Sequence, residues 1–241
     1  MTTPAKKERE AAELGLGVPR SAEPQLGFSG NAEPQLGSCR LLGWHSRGYL
    51  PHLDAVGVVQ SITFRLADSL PQAKLEQLRQ AAQTLPAPLR DAKLRRAIDN
   101  WLDAGAGCCA LRHPELAALM QETLLKFDGQ RYRLVAWCVM PNHVHVLIEP
   151  RVPLAKIVQS WKSYTGRWAM ARNAELGFGV PGSALWMRDY WDRYIRNQQH
   201  LDAVVQYVHQ NPVAAGLCRN PLDWPWSSAC RRFGTCRIAN G

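Results

Sequence analysis

The chain has 241 residues and a formal net charge of +9, from 29 Lys and Arg against 20 Asp and Glu. This length allows one sizeable domain with a tail, and the charge favours a polyanionic partner, although many soluble proteins are basic. No apolar run approaches the roughly 20 residues of a membrane span. Seven cysteines without a C-x-x-C pair indicate reduced thiols of a cytoplasmic protein, which excludes a disulfide framework and a zinc finger.

The first 40 residues differ in composition from the rest. The segment 22–27, Ala-Glu-Pro-Gln-Leu-Gly, recurs at 32–37, and two copies rich in Pro, Gly and Gln are typical of a disordered segment. We therefore predict a disordered tail over residues 1–40, a folded domain over 41–233 and a flexible C-terminal tail over 234–241.

Hydrophobic periodicity predicts the elements of that domain in chain order. We expect a strand at 56–66, charged helices at 71–84 and 89–102, a helix at 115–127, strands at 132–140 and 143–149, a long helix at 154–173, and a last helix from about residue 200. This order predicts an α+β fold, in which helices pack mainly on one face of an antiparallel sheet.

Two histidines mark the second strand of the central pair, directly after the turn signal Pro141-Asn142. His143 and His145 are two residues apart and point to one face, because strand side chains alternate, while Val144 and Val146 face a core. Paired imidazoles of this kind can hold one divalent metal. The alternative is that both histidines face solvent.

The last helix adds a second candidate segment. Its apolar stripe recurs at helical spacing, and Tyr207 and Asn211 lie four residues apart on one face beside that stripe. A tyrosine nucleophile and an amide ligand would therefore be presented together. Alternatively, Tyr207 lies at the edge of the core, and Asn211-Pro212 forms the N-cap and first residue of a further short helix.

Together these segments resemble a known family. Met140-Pro141-Asn142-His143-Val144-His145, followed by the segment 207–212, resembles the single-tyrosine HUH transposases, and most closely their REP-associated tyrosine transposase branch. Four further blocks match in the same order, so that the resemblance runs from about residue 41 to 233: residues 47–52, 63–68, 186–196 and 223–228.

The resemblance implies a ferredoxin-like topology and a metal-dependent activity on single-stranded DNA. Tyr207 would attack a phosphodiester and form a 5′-phosphotyrosine, and His143, His145 and Asn211 would hold Mg²⁺ or Mn²⁺. Histidine ligands favour stronger activation by Mn²⁺. Other members often carry Gln as third ligand, but Gln210 is three residues from Tyr207 and turns to another face, so we assign the ligand to Asn211.

The resemblance also implies a partner and a location. The substrate would be a hairpin-forming repetitive extragenic element read as single strand, cleaved and rejoined by a nucleoid-associated protein without membrane contact, either a monomer or a homodimer. Arginines between aromatic residues predict DNA contacts by Arg188, Arg193 and Arg196, with packing of the aromatics as the alternative. Lys162 and Arg167 on the long helix are further candidates for DNA contact. The alternative is that they belong to a solvated helix face that binds nothing.

Two other assignments complete the sequence-based hypotheses. Tyr164 has the spacing of the apolar face of the long helix, which predicts a core position. A non-catalytic protein that binds single-stranded nucleic acid on the same fold is the alternative function, and a relaxase-type initiator would place its tyrosine upstream of the histidines.

Overall fold

The computed structural model describes residues 41–46 and 51–232. The predicted tails at 1–40 and 234–241 lie outside the described residues. The described chain divides into two compact units, one containing residues 70–102 and the other containing residues 41–69 and 103–232. None of the helices in this described part is long and apolar enough to cross a bilayer.

The smaller unit contains two charged helices, as predicted. Helix α1 spans Gln72–Gln83 and helix α2 spans Ala87–Asp103. Within this unit the Lys74 ammonium lies 4.6 Å from the centre of the Trp101 ring, a cation–π contact between the two helices.

The larger unit begins with two strands that the sequence did not predict. Strand β1, Leu41–Ser46, pairs antiparallel with β2, Pro51–Ala55. The strand predicted over 56–66 is shorter: β3 spans Gln60–Arg65, because Gly57, with φ of +81°, forms a turn before it.

The remaining elements follow the predicted order. Helix α3 begins with Pro114 in the first turn, a position where the missing N–H has no cost. Helix α4 ends at Gly177, whose φ of +65° suits a C-cap. The remaining elements are α3 Pro114–Lys126, β4 Tyr132–Val139, β5 His143–Pro150, α4 Leu154–Leu176, β6 Trp191–Tyr194 and α5 Gln198–Ala214.

Four strands form an antiparallel sheet in the order β4-β5-β3-β6. With α3 between β3 and β4 and α4 between β5 and β6, the chain follows the β-α-β-β-α-β order of the ferredoxin-like fold. The predicted fold class is therefore confirmed.

The two faces of the sheet are covered unequally. A large apolar cluster joins one face to α3 and α4 and includes Phe64, Val144, Val146, Leu116 and Trp161. A smaller cluster lies on the opposite face, where Val208 of α5 packs with Leu147 of β5. Its other buried members are Ala136 and Cys138 of β4, and Met140, which follows that strand. Helices thus pack mainly on one face, and the helix that carries Tyr207 lies on the other.

We expect the smaller cluster to contribute measurably to stability. Leu147 is fully buried in it, so Leu147→Ala should lower the free energy of unfolding by about 2–5 kcal/mol through lost transfer energy and a cavity. Urea unfolding followed by circular dichroism measures this change. Leu222→Ala, at a position that is 42% exposed, is the matched control and should change the value by less than about 0.5 kcal/mol. Equal effects of the two substitutions would contradict the packing described here.

Candidate active site

The two histidines of β5 form a buried pair on the sheet face that α5 covers. His143 is 1% exposed and His145 is 2% exposed, so the interpretation of solvent-facing histidines is wrong. Their Nε2 atoms are 2.9 Å apart, and the rings meet at 87°. Val144 and Val146 point into the opposite cluster, as predicted.

Each ring is also held through its other nitrogen. His143 Nδ1 is 2.8 Å from Asn142 Oδ1, and His145 Nδ1 is 2.9 Å from Thr63 Oγ1. Thr63 lies directly opposite His145 in the antiparallel register of β3 and β5. The two Nε2 atoms are therefore aimed at one point between the rings.

Burial keeps both imidazoles neutral. Desolvation lowers the pKa of His145 to about 4, and desolvation with the neighbouring His145 lowers the pKa of His143 well below its usual value of 6.5. A neutral imidazole is the form that binds a metal. The pair is therefore in the ligand form at neutral pH.

Helix α5 brings Tyr207 to the pair. Asn197 starts the helix by accepting a hydrogen bond from the His200 amide at 2.8 Å. The buried Val208 holds the middle of α5 on the sheet. The Tyr207 ring packs edge-on against His145, with centroids 5.5 Å apart at 77°, and is 43% exposed. It lies at the edge of the smaller cluster, between the buried imidazoles and solvent.

Asn211 is one helical turn beyond Tyr207 and is 2% exposed, whereas Gln210 is exposed. Helix α5 continues through Pro212 to Ala214, so the expectation of a separate helix after Asn211 is wrong. The Asn211 Oδ1 atom is buried and has no hydrogen-bond partner among the described residues. A buried amide oxygen without a hydrogen-bond partner destabilises the folded state unless a ligand binds it.

These donors fit a divalent cation. An ion with ligand bonds of about 2.1 Å that meet at a right angle requires nitrogens about 3 Å apart, and the Nε2 atoms are 2.9 Å apart. No group of three or more His, Cys, Asp or Glu side chains suited to a metal occurs in the described residues. A cation here would therefore be held by the two imidazoles, with coordination positions left open, and Asn211 stays a predicted third ligand.

Two charged residues near the pair were missed by the sequence analysis. Asp103, at the end of α2, places a carboxylate oxygen 3.8 Å from His143 Nε2. Arg65 lies opposite His143 in the register and is 3% exposed, and burial lowers its pKa to about 10. Arg65 belongs to a block that supported the resemblance, but no spacing rule connected it or Asp103 with the histidines.

The predicted DNA-contacting residues occupy different environments. Arg188, Arg196 and Arg167 are exposed, and Arg193 is half-buried on β6. Arg193 pairs with Ser61, which pairs with Leu147 on its other side. Because directly opposed residues share a face, Arg193 lies on the same sheet face as the histidine pair.

Lys162 differs from these arginines. Its ammonium donates to the backbone carbonyls of Met187, Arg188 and Asp189 at 2.9, 3.1 and 2.9 Å. Its pKa is lowered to about 7. Burial is the main cause, Asp189 opposes the shift, and Arg65 adds to it. Lys162 thus holds the backbone of the segment before β6 in place. A contact between Lys162 and DNA stays a prediction.

The aromatic residues near these cations divide between core and surface. Trp186 is buried in the larger cluster, as the packing alternative predicted, whereas Trp191 and Ile195 of that alternative are half-buried. Tyr190 is buried in the same cluster. Tyr164 is 46% exposed, so its predicted core position is wrong. It lies on the edge of the apolar face of α4, with the Lys126 ammonium 6.0 Å from its ring centre.

Known proteins that are similar to this chain are transposases. Residues 113–211, which include both histidines, Tyr207 and Asn211, match the family model described as "Transposase IS200 like". A REP-associated tyrosine transposase from Escherichia coli K12 is 22% identical over 111 residues, 46% of this chain. A Haemophilus influenzae protein described as "Putative REP-associated tyrosine transposase" is 25% identical over 111 residues, 40% of this chain.

The matched region spans 62% and 58% of the lengths of these two relatives, which is less than two thirds of each. A solved structure of a REP-associated tyrosine transposase bound to a REP hairpin aligns with a TM-score of 0.42 at 17% identity, over 78% of this chain and 82% of that one. By the family model and the two relatives, the chain is similar to IS200-like transposases. Within that class, the resemblance to the REP-associated tyrosine transposases is confirmed.

The buried imidazoles should make stability depend on pH. The folded-state pKa of His145, about 4, lies below its ordinary 6.5, so on acidification the unfolded chain takes up a proton that the folded chain does not. The stabilisation is complete above pH 6.5 and is lost as pH falls toward 4. Between pH 8 and pH 5, His145 should reduce the free energy of unfolding by about 2 kcal/mol, and His143 should act in the same direction.

Urea unfolding at the two pH values, without divalent metal, measures this loss. His145→Gln should reduce the loss by about 2 kcal/mol relative to the unsubstituted protein. An identical loss in both proteins would show that the His145 imidazole accepts a proton in the fold.

Proposed function

We propose that this chain is a metal-dependent transposase that cleaves and rejoins hairpin-forming, repetitive single-stranded DNA through a 5′-phosphotyrosine. The observation that carries the proposal is the contact of Tyr207 with His145. A partly exposed phenol rests against a buried, neutral imidazole pair within one chain. The REP-associated relatives supply the class of substrate.

Tyr207 is the proposed nucleophile. A tyrosine phenol has an unperturbed pKa near 10, at which only about 0.1% is ionised at pH 7, so the reaction would depend on activating the phosphate more than on a large phenolate population. In the cleavage step, the Tyr207 oxygen forms a bond to phosphorus and the bond to the 3′ oxygen breaks. The phenol loses its proton, and the 3′ oxygen leaves as a hydroxyl after taking one up.

His143, His145 and Asn211 are the proposed ligands of Mg²⁺ or Mn²⁺. When bound, the cation would polarise the scissile phosphate as a Lewis acid, which contributes several kcal/mol in comparable enzymes. The covalent bond to Tyr207 keeps the 5′ end on the protein, so that an incoming 3′ hydroxyl reverses the step and joins the strands.

The DNA strand would approach across the exposed side of Tyr207. Arg193 on β6 faces the same side of the sheet as the histidine pair, and Arg188 and Arg196 are on either side of this strand in sequence. Exposed cations bordering the site would neutralise phosphates on either side of the scissile bond. Arg167 on α4 and Lys162 are secondary candidates for this role.

A covalent-capture experiment tests the nucleophile. A labelled single-stranded hairpin repeat, incubated with Mn²⁺, should form an adduct that survives a denaturing protein gel. Tyr207→Phe should abolish the adduct while hairpin affinity changes less than twofold, because the ring is retained. Tyr164→Phe, at a similarly exposed position, is the matched control and should form the adduct normally.

Two outcomes of this experiment would reject the catalytic proposal. An adduct formed by Tyr207→Phe would remove Tyr207 as nucleophile. Tight binding without an adduct in the unsubstituted protein, over a panel of repeats, would favour a non-catalytic nucleic-acid-binding protein.

Salt dependence tests the proposed path of the strand. Log affinity should fall linearly with log salt, by about 0.7 per phosphate neutralised on a single strand. Arg188→Ala should reduce the slope by about that amount, as measured by fluorescence anisotropy in increasing KCl. Arg133 is already paired with Glu149 at 2.7 Å, so Arg133→Ala should leave the slope unchanged. An unchanged slope in Arg188→Ala would exclude that contact.

A further inference from the structure

A chain of hydrogen bonds behind His143 determines where its ring proton lies. Asn142 is fully buried, and its Nδ2 donates to the Ala106 carbonyl at 2.8 Å. That bond orients the amide so that Oδ1 faces His143 Nδ1 at 2.8 Å. An amide oxygen only accepts hydrogen bonds. The Nδ1 atom must therefore carry the proton, and the His143 Nε2 atom presents a lone pair.

The contact between the two rings then constrains His145. Its Nε2 atom is 2.9 Å from His143 Nε2, and two lone pairs at this distance repel each other. Either a proton or a cation must lie between the rings. Without a cation, His145 Nε2 must donate to His143 Nε2, and its Nδ1 must then accept a hydrogen bond from the Thr63 hydroxyl at 2.9 Å.

Thr63 can serve both states of His145. A hydroxyl donates one hydrogen bond and accepts others, and its proton rotates to suit the partner. If His145 turned its Nε2 lone pair toward a cation, its proton would lie on Nδ1 and would be donated to Thr63 Oγ1. Because His145 is almost fully buried, bulk water does not readily replace Thr63 in this role.

We propose that Asn142 and Thr63 are positioning residues with different tasks. Asn142 holds His143 permanently in the tautomer that presents Nε2, and Thr63 lets His145 alternate between a proton donor to His143 and a ligand to a cation. The inference rests on the proposed metal role of the pair. In the exchange, one proton leaves Nε2 for solvent and another binds Nδ1, so both rings stay neutral.

This arrangement stabilises the site when no cation is bound. Two buried imidazoles that both presented lone pairs would each lack a hydrogen bond, and an unsatisfied buried polar group is costly. The bond between the rings satisfies both Nε2 atoms. A bound cation would be held by the two Nε2 atoms in place of that bond, and Thr63 would keep its contact with His145 in both states.

Nitrogen NMR of the imidazoles tests the tautomers directly. The metal-free protein is labelled with ¹⁵N-histidine, and the signals of the pair among the seven histidines are assigned with His143→Gln and His145→Gln. We expect His143 protonated on Nδ1 and His145 on Nε2. Zn²⁺, a diamagnetic probe, should move the His145 proton to Nδ1 and leave the His143 proton in place.

Metal affinity tests the role of Thr63. Removing the partner of a metal-ligating histidine lowers affinity about 10–100-fold, so Thr63→Val should weaken Mn²⁺ binding by that factor. Electron paramagnetic resonance of free Mn²⁺ measures the dissociation constant. Thr63→Ser restores a hydroxyl and should bind within about threefold of the unsubstituted protein.

Several results would overturn the inference. They are an Nδ1 proton on metal-free His145, an Nε2 proton on His143, or unweakened Mn²⁺ binding in Thr63→Val. Thr63→Val should also lower the metal-free melting temperature, because it leaves His145 Nδ1 without a hydrogen-bond donor, whereas Thr63→Ser should not. An equal loss of melting temperature in both variants would indicate a general loss of folding instead. None of these measurements uses DNA cleavage. A failed cleavage assay with the expected tautomers and Mn²⁺ affinities would therefore reject the proposed function and leave this inference intact.

Discussion

The pairing of β3 with β5 is the constraint on which the rest of the site depends. This register places Thr63 opposite His145 and Arg65 opposite His143, and strand alternation sends these side chains to the face away from the main core. A shift of the register by one residue would exchange Val144 and Val146 with the histidines and expose apolar side chains. The large cluster around α3 and α4 therefore fixes the histidines indirectly, because the valines between them have only one favourable environment.

The helix on the opposite face completes this arrangement. Apolar side chains of α5 lie on the sheet beside the histidines, so Tyr207, next to Val208 in sequence, comes to the margin of the packed region. The result is a gradient of burial across a few ångströms, from enclosed imidazoles to a phenol that is partly in water. In the proposed function, the metal ligands would gain strength from low dielectric surroundings, and the nucleophile would need access to a polymeric substrate. The contact between buried β5 and the exposed edge of α5 suits both proposed roles.

Short-range patterns predicted much of this correctly, for identifiable reasons. The histidines follow a turn signal and alternate with valines, so their common face was readable from period two. Tyr207 and Asn211 were readable from helical spacing. Asp103 and Arg65 were not, because their proximity to His143 depends on long-range pairing and on where an earlier helix ends. Tyr164 was misplaced because it lies on the border of the apolar face of α4, where periodicity alone does not separate core from surface. The β1–β2 pair was missed because glycines and histidines interrupt its pattern.

The two apolar clusters differ in size, and this difference has a consequence for motion. Helices α3 and α4 share the larger cluster with the sheet, while α5 is held by a smaller one. Free energies of local opening within one protein range from near zero to the global value, and segments with few buried apolar contacts open first. We expect the amides of α5 to exchange with deuterium faster than those of α3 and α4. The proposed nucleophile would then lie on a helix that opens more readily than α3 and α4, while the sheet keeps the proposed ligands in place.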